Sequence, residues 1–228
     1  MTPATRLFAG THDYYGLGGC AVLGAHYEWL KKQWREVRRL INGSADAPLH
    51  AADTTWRCDR SFAVLSQFFL DRSFVRIAAT STRKTVCPAA MHPAVPVMGG
   101  LYEHVVGVAE LIPCKAIAMV VESSQRADPM LKQHFGELKL ENRELILSVE
   151  HWLMPKSAAE PGLEIADFII NAAGSQTRRY LEGKPGVSLD FQDVFGRLPP
   201  EGCRFSIVTK VDGYEDGRVR VQGVRFTP

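Results

Sequence analysis

The sequence lacks the short motifs that mark several common enzyme classes. It contains no G-x-x-x-x-G-K-[ST] phosphate loop, no G-x-S-x-G nucleophile elbow and no H-E-x-x-H metal motif. The glycine-rich run at residues 16–19 lacks the third glycine of a dinucleotide fingerprint and continues into strand-like sequence. P-loop nucleotide hydrolysis, serine-esterase chemistry and dinucleotide binding are therefore not predicted.

The chain is also poor in metal-binding and redox patterns. None of its five cysteines falls in a C-x-x-C pair, and its seven histidines show no ligand spacing. A zinc knuckle or a dithiol centre is therefore not predicted, and scattered reduced thiols are typical of a cytosolic protein. Cys20, which follows the glycine-rich run, leaves a nucleophilic thiol open as an alternative to a packed strand residue.

Long apolar runs and a strong charge excess are absent as well. The longest apolar stretch, residues 116–121, is too short to span a bilayer, and the first residues do not form a secretory signal. We expect a cytoplasmic protein without membrane association. Lys and Arg total 27 against 25 Asp and Glu, a net charge of +2, so nucleic-acid affinity would require a local basic patch. The oligomeric state stays open.

What is present is an alternation of predicted strands and helices. The clearest helix covers residues 26–41, where apolar residues recur every three or four positions, and Asn42-Gly43 is typical of a helix end. Further helices are predicted at 60–70, 100–112 and 161–181, and strands at 7–9, 16–24, 74–80, 115–122, 144–152, 205–211 and 218–224. The apolar strand at 115–122 is expected to be buried on both faces of a central sheet.

This alternation predicts a single α/β domain with a mixed central sheet flanked by helices. We place the domain at residues 1–183, with a C-terminal extension at 184–228 that carries a β-hairpin packed on the same domain.

Several segments carry a family resemblance. The segment LFAGTH at 7–12, which begins with a short strand, is followed by YGLGG at 15–19 and by the long charged helix. The segment LHAAD at 49–53 comes after the helix. VVESSQR at 120–126 ends a strand at a glutamate, and PGLEIADF at 161–168 opens a helix. In this order, across residues 5–183, they resemble the domain of unknown function 3800 family, whose members look like degenerate ribonuclease-H-type domains. The resemblance therefore implies a ribonuclease-H-like fold.

Nucleases of this type cluster carboxylates around one or two Mg²⁺ ions, which activate water for attack on a phosphodiester. The resemblance implies that Glu122 and Asp167 are catalytic residues and ligands for Mg²⁺ or Mn²⁺. The family's first-strand aspartate is replaced by Gly10, so Asp13 or Asp53 would have to supply the third carboxylate.

A structural role for the same two acids stays open. Glu122 could cap the turn at Ser123-Ser124 and pair with Arg126. Asp167 could be held by Arg178, by Arg179 or by a backbone N–H near the helix start.

The long helix also carries a candidate basic face. Its cations lie opposite the apolar stripe, and with a nearby histidine they form a candidate nucleic-acid surface: Lys31, Arg35, Arg38 and His50. The alternative is a solvated face on which Glu28 and Glu36 compensate the positive charge. The C-terminal hairpin offers further arginines.

Two functions follow from these residues. The first is a degenerate ribonuclease-H-like protein that is weak or inactive as a nuclease and binds a nucleic-acid or protein partner. The alternative is an active Mg²⁺- or Mn²⁺-dependent phosphodiesterase that uses Glu122 and Asp167 with Asp13 or Asp53.

Overall fold

The computed structural model describes residues 14–54, 59–69, 74–86, 101, 105, 116–123, 128–129, 132, 141–142, 145–146, 148–181, 206–215 and 218–224. The predicted strand at 7–9 and most of the predicted helix at 100–112 lie outside these residues.

Three α-helices have described bounds, and all three match helices predicted from the sequence; a short 3-10 helix, Lys156–Ala158, precedes the last of them. They are α1, Gly24–Asn42; α2, Asp59–Phe69; and α3, Pro161–Leu181. Helix α1 buries Leu30, Trp34 and Val37, as the apolar spacing predicts. It ends at Gly43, which adopts a left-handed conformation (φ 78°) and donates its N–H to the carbonyl of Arg39.

The largest described sheet has four strands of mixed direction. They are β1, Tyr14–Val22; β2, Phe74–Val86; β7, Ser206–Glu215; and β8, Arg218–Val224, in the order β1-β2-β7-β8. Strand β2 is antiparallel to β1 and parallel to β7, and β7 is antiparallel to β8. Strand β1 begins at Tyr14, two residues before the predicted strand at 16–24, and Gly24 belongs to α1 rather than to the strand.

Two smaller sheets complete the described strands. Strand β3, Ala116–Glu122, runs parallel to β6, Ser148–Met154, and β4, Glu141–Asn142, is antiparallel to β5, Leu145–Ile146. The prediction that β3 is buried on both faces is wrong. Its residues alternate between exposed and half-buried, because β3 and β6 form a two-stranded sheet in the described part of the chain and one face of it is open.

The core is built around Trp34 of α1. Its indole meets the rings of Phe68 and Phe168 edge to face, with ring centres 4.9 Å and 5.5 Å apart. Phe69 and Phe74 extend the same cluster, so α1, α2, β2 and α3 share one apolar core.

Strand β1 packs closely on α3. A Cβ atom added at Gly18 would lie 2.6 Å from Cβ of Ile170 and 3.0 Å from its backbone nitrogen. No side chain fits between the two backbones there, so this glycine sets the distance between β1 and the helix that carries Asp167.

The described residues thus confirm an α/β chain with mixed strand pairing. The division at residues 183 and 184 stays a prediction. In the part of the chain that the structure describes, no helix is long and apolar enough to cross a membrane.

Candidate functional site

The start of α3 is a convergence point for hydrogen bonds from distant parts of the chain. Glu164 lies in the first turn and its side chain is buried, with 6% of the residue exposed. Its carboxylate accepts from Trp34 Nε1 at 2.8 Å and from the backbone N–H of Leu49 at 3.1 Å. The carboxylate therefore joins α3 to α1 and to the chain that follows α1.

Arg38 supplies the charge that opposes Glu164. Its Nε donates to Oε2 at 3.0 Å and its Nη2 donates to Oε1 at 2.7 Å, so the pair is bidentate. The same guanidinium donates to the carbonyls of Ala45 and Ala159, at 3.3 Å and 2.6 Å. Both members of the ion pair are satisfied without solvent.

The prediction that Arg38 belongs to an exposed nucleic-acid surface is wrong. Only 4% of this residue is exposed. It lies one turn after Trp34 and beside Val37, on the buried side of α1, because Glu164 offers a carboxylate there.

Asp167 lies one turn further along α3. Its Oδ2 accepts the backbone N–H of Ala51 at 2.9 Å. The structural alternative expected a backbone N–H near the helix start, whereas the N–H that holds Asp167 comes from Ala51, in a distant part of the chain. The side chains of Arg178 and Arg179 lie outside the described residues.

Together, Glu164 and Asp167 bind residues 49–54, which we call the 49–54 segment. Within it, the carbonyl of His50 accepts from the N–H groups of Asp53 and Thr54 and from the Thr54 hydroxyl, at 3.1, 3.0 and 2.8 Å. The segment is therefore a hydrogen-bonded turn on α3, with the His50 side chain partly exposed and Asp53 exposed.

The structure does not assemble a three-carboxylate metal site from the described candidates. Asp53, Glu122 and Asp167 are all described, and no group of three or more His, Cys, Asp or Glu that could hold a metal ion occurs among described residues. Asp13 lies outside them, so the combination of Glu122, Asp167 and Asp13 stays a prediction.

Glu122 is exposed at the end of β3, opposite Met154 of β6. The neighbouring Ser123 makes its contacts elsewhere: its N–H donates to the Met154 carbonyl at 2.8 Å and its hydroxyl to Asp128 Oδ2 at 2.6 Å. Glu122 therefore does not cap Ser123, while Ser124 and Arg126 lie outside the described residues, so the rest of that alternative stays a prediction.

Of the four α1 cations other than Arg38, three are compensated by neighbouring acids: Lys31 pairs with Glu28 at 2.6 Å, Arg35 with Asp46 at 2.9 Å, and Arg39 with Glu36 at 2.5 Å. The fourth, Lys32, is exposed and forms no ion pair among the described residues. This arrangement favours the solvated face over a phosphate-binding surface. Asp46 was missed by the sequence analysis, because the contact needs the chain to fold back after α1.

A second set of contacts fixes the same end of α3 to α1 and β1. The Tyr27 hydroxyl donates to Glu160, and burial and this hydrogen bond raise the pKa of Tyr27. The Cys20 thiol donates to the Gly162 carbonyl at 3.6 Å, and burial raises the pKa of Cys20 to about 12. A thiol with this pKa stays protonated near neutral pH, which argues against nucleophilic chemistry at Cys20.

One surface feature was also missed by the sequence analysis. Val120 of β3 and Trp152 of β6 are adjacent in the parallel register, and both are exposed. The alternation of the predicted strand at 144–152 could have placed Trp152 on one face with Glu150. Only the pairing of β3 with β6 brings Val120 beside it.

No protein-family model matches the chain, and comparisons with curated proteins and with solved structures find no match. The family resemblance therefore stays a prediction that depends on the segments quoted above.

Proposed function

We propose that this chain is a degenerate ribonuclease-H-like protein, as its resemblance to the domain of unknown function 3800 family implies, and that it binds a protein partner without cleaving nucleic acid. The mixed strand directions and the packing of α3 against β1 and β3 support the fold part of this proposal. The chemical part depends on what the acids of α3 do.

The observation that carries the proposal is the use of Glu164 and Asp167 as anchors. Glu164 takes four protein hydrogen bonds, and Asp167 takes the N–H of Ala51. The bond from Ala51 to Oδ2 of Asp167 holds the 49–54 segment on α3, which is a structural use of this carboxylate. Gly10 also stands where the family's first-strand aspartate is expected, so one of the carboxylates that a two-metal centre uses is missing from that position.

A protein partner is favoured over a nucleic acid by charge. Lys31, Arg35 and Arg39 of α1 are paired with acids, Lys32 alone stays without an ion pair among the described residues, and the net charge of the whole chain is only +2. Phosphate binding depends on unpaired positive charge and releases counterions. The exposed pair of Val120 and Trp152 instead offers the apolar surface typical of protein contacts.

A cleavage assay tests the proposal. The native chain is incubated with Mg²⁺ or Mn²⁺ and labelled single-stranded RNA, single-stranded DNA or an RNA–DNA hybrid, beside Glu122→Gln and Asp167→Asn prepared in parallel. We expect the three proteins to release the same background of product. Cleavage by the native chain that either substitution abolishes would establish the phosphodiesterase and remove this proposal.

A Gly10→Asp variant adds a second arm to the assay. If the missing aspartate is what disabled an ancestral site, this variant gains Mn²⁺-dependent cleavage that Asp167→Asn removes again.

A further inference from the structure

The open side of the β3–β6 sheet forms a defined surface. We call it the β3–β6 face and define it by its exposed residues: Ala116, Ala118, Val120 and Glu122 of β3, with Glu150 and Trp152 of β6. Met154, beside Glu122, is half-buried. Residues paired in a parallel sheet project to the same side, so the register places Ala118 beside Glu150 and Val120 beside Trp152.

Trp152 is the dominant apolar group of this face. It is 58% exposed and Val120 is 40% exposed, so a large indole and a branched side chain stand side by side in water. The small side chains of Ala116 and Ala118 leave the rest of β3 flat beside them. A rigid aromatic group at the centre of a flat apolar area is the usual form of an interface hot spot.

The charge on the face selects the kind of partner. Glu122 and Glu150 border the apolar pair, and no lysine or arginine of the described residues lies on this face. A second copy of the chain docking through the same face would bring like charges together, because such a contact is symmetric. A nucleic acid would bring phosphates against two carboxylates.

We infer that the β3–β6 face binds a protein segment in which an apolar side chain is flanked by lysine or arginine. This inference rests on the proposed function and names the partner class. The apolar side chain of the segment packs on Trp152 and Val120, and its cations pair with Glu122 and Glu150. Burial of the indole provides the affinity, while the carboxylates provide the preference for a basic partner.

A peptide selection tests the inference on the full-length chain. A random-peptide display library is selected against the immobilised native protein, and the enriched peptides are then titrated by fluorescence anisotropy. We expect enriched peptides to combine Lys or Arg with an aromatic or aliphatic residue. Trp152→Ala should weaken their binding about tenfold or more, as for other aromatic hot spots.

Two matched variants complete the design. Trp29→Ala removes another exposed tryptophan, on α1 and outside the β3–β6 face, and should leave the peptide affinity unchanged. Glu150→Gln should weaken binding about threefold and reduce its salt dependence, because one rim carboxylate is lost. Circular dichroism of each variant confirms that the fold is retained, as expected for exposed residues.

Three results would overturn the inference: no enriched peptide, enriched peptides that are acidic, or equal binding to the native chain and Trp152→Ala. Each of these outcomes would show that the β3–β6 face does not bind such a segment. The proposed function would then still be tested by the cleavage assay. Conversely, nuclease activity that depends on Asp167 would contradict the proposed function. The peptide affinity of Trp152→Ala would still show whether the β3–β6 face binds the peptide.

Discussion

At the scale of single residues, Glu164 and Arg38 connect parts of the chain that are far apart in sequence. A buried ion pair is costly to form, since both charges leave water, and it stabilises a fold only when its hydrogen bonds are complete. Here the carboxylate and the guanidinium are both satisfied by protein groups. Removing one partner leaves the other charged, buried and unpaired.

We therefore expect Glu164→Gln to lower the free energy of unfolding by about 3 kcal/mol. The substitution keeps the shape of the side chain but removes the charge that faces Arg38. Urea denaturation measures the effect. Glu36→Gln is the matched control, because Glu36 pairs with Arg39 on the exposed side of the same helix, and it should leave the unfolding midpoint unchanged. Equal effects of the two substitutions would contradict the anchor role of Glu164.

Cys20 gives a second test at this scale. Because burial raises the pKa of its thiol to about 12, the reactive thiolate is scarce near neutral pH, and the residue is half-buried against the core. We expect iodoacetamide to modify Cys20 only after the protein is unfolded in urea, as followed by mass spectrometry of the peptide that contains it. Modification of the folded protein at the rate of a free thiol would restore the nucleophilic alternative.

At the scale of elements, the helices were predictable and the strand environments were not. The three-to-four spacing of apolar residues in α1 and the proline and glycine signals around α3 are local, so the helix positions follow from sequence. Strand β3 is apolar at nearly every position, and this pattern does not say whether one or both faces are covered. The burial of Arg38 was missed for a related reason, since its partner Glu164 is supplied by a distant helix.

The close packing of β1 on α3 leads to a prediction about Gly18. A methyl group at Gly18 would overlap Ile170, whereas one at Gly19 meets nothing within 4 Å. We expect Gly18→Ala to lower the free energy of unfolding by about 1–3 kcal/mol, the usual range for overpacking. The neighbouring Gly19→Ala adds the same atom to the same strand and should not destabilise the protein, as thermal unfolding of both variants can establish. A larger loss for Gly19→Ala would contradict the close packing.

At the scale of the whole molecule, the sequence predicted an α/β chain of mixed strands, and the described residues confirm that class. The candidate site was predicted less well. Asp167 was identified through the family resemblance of the helix start at 161–168, but its bond to Ala51 depends on where the 49–54 segment folds. The β3–β6 face depends on the pairing of two strands separated by many residues, which no local pattern encodes.

The proposed function requires that Asp167 is an anchor for the 49–54 segment and not a metal ligand. An asparagine at this position can still accept the N–H of Ala51 through its amide oxygen, so Asp167→Asn isolates the charge without releasing the 49–54 segment.

Calorimetric titration of the native chain and Asp167→Asn with Mn²⁺ is the most direct measurement. If Asp167 is an anchor, the native chain and Asp167→Asn give the same heats of Mn²⁺ addition, and the substitution removes no saturable site. A saturable Mn²⁺ site in the native chain that is lost in Asp167→Asn would contradict it.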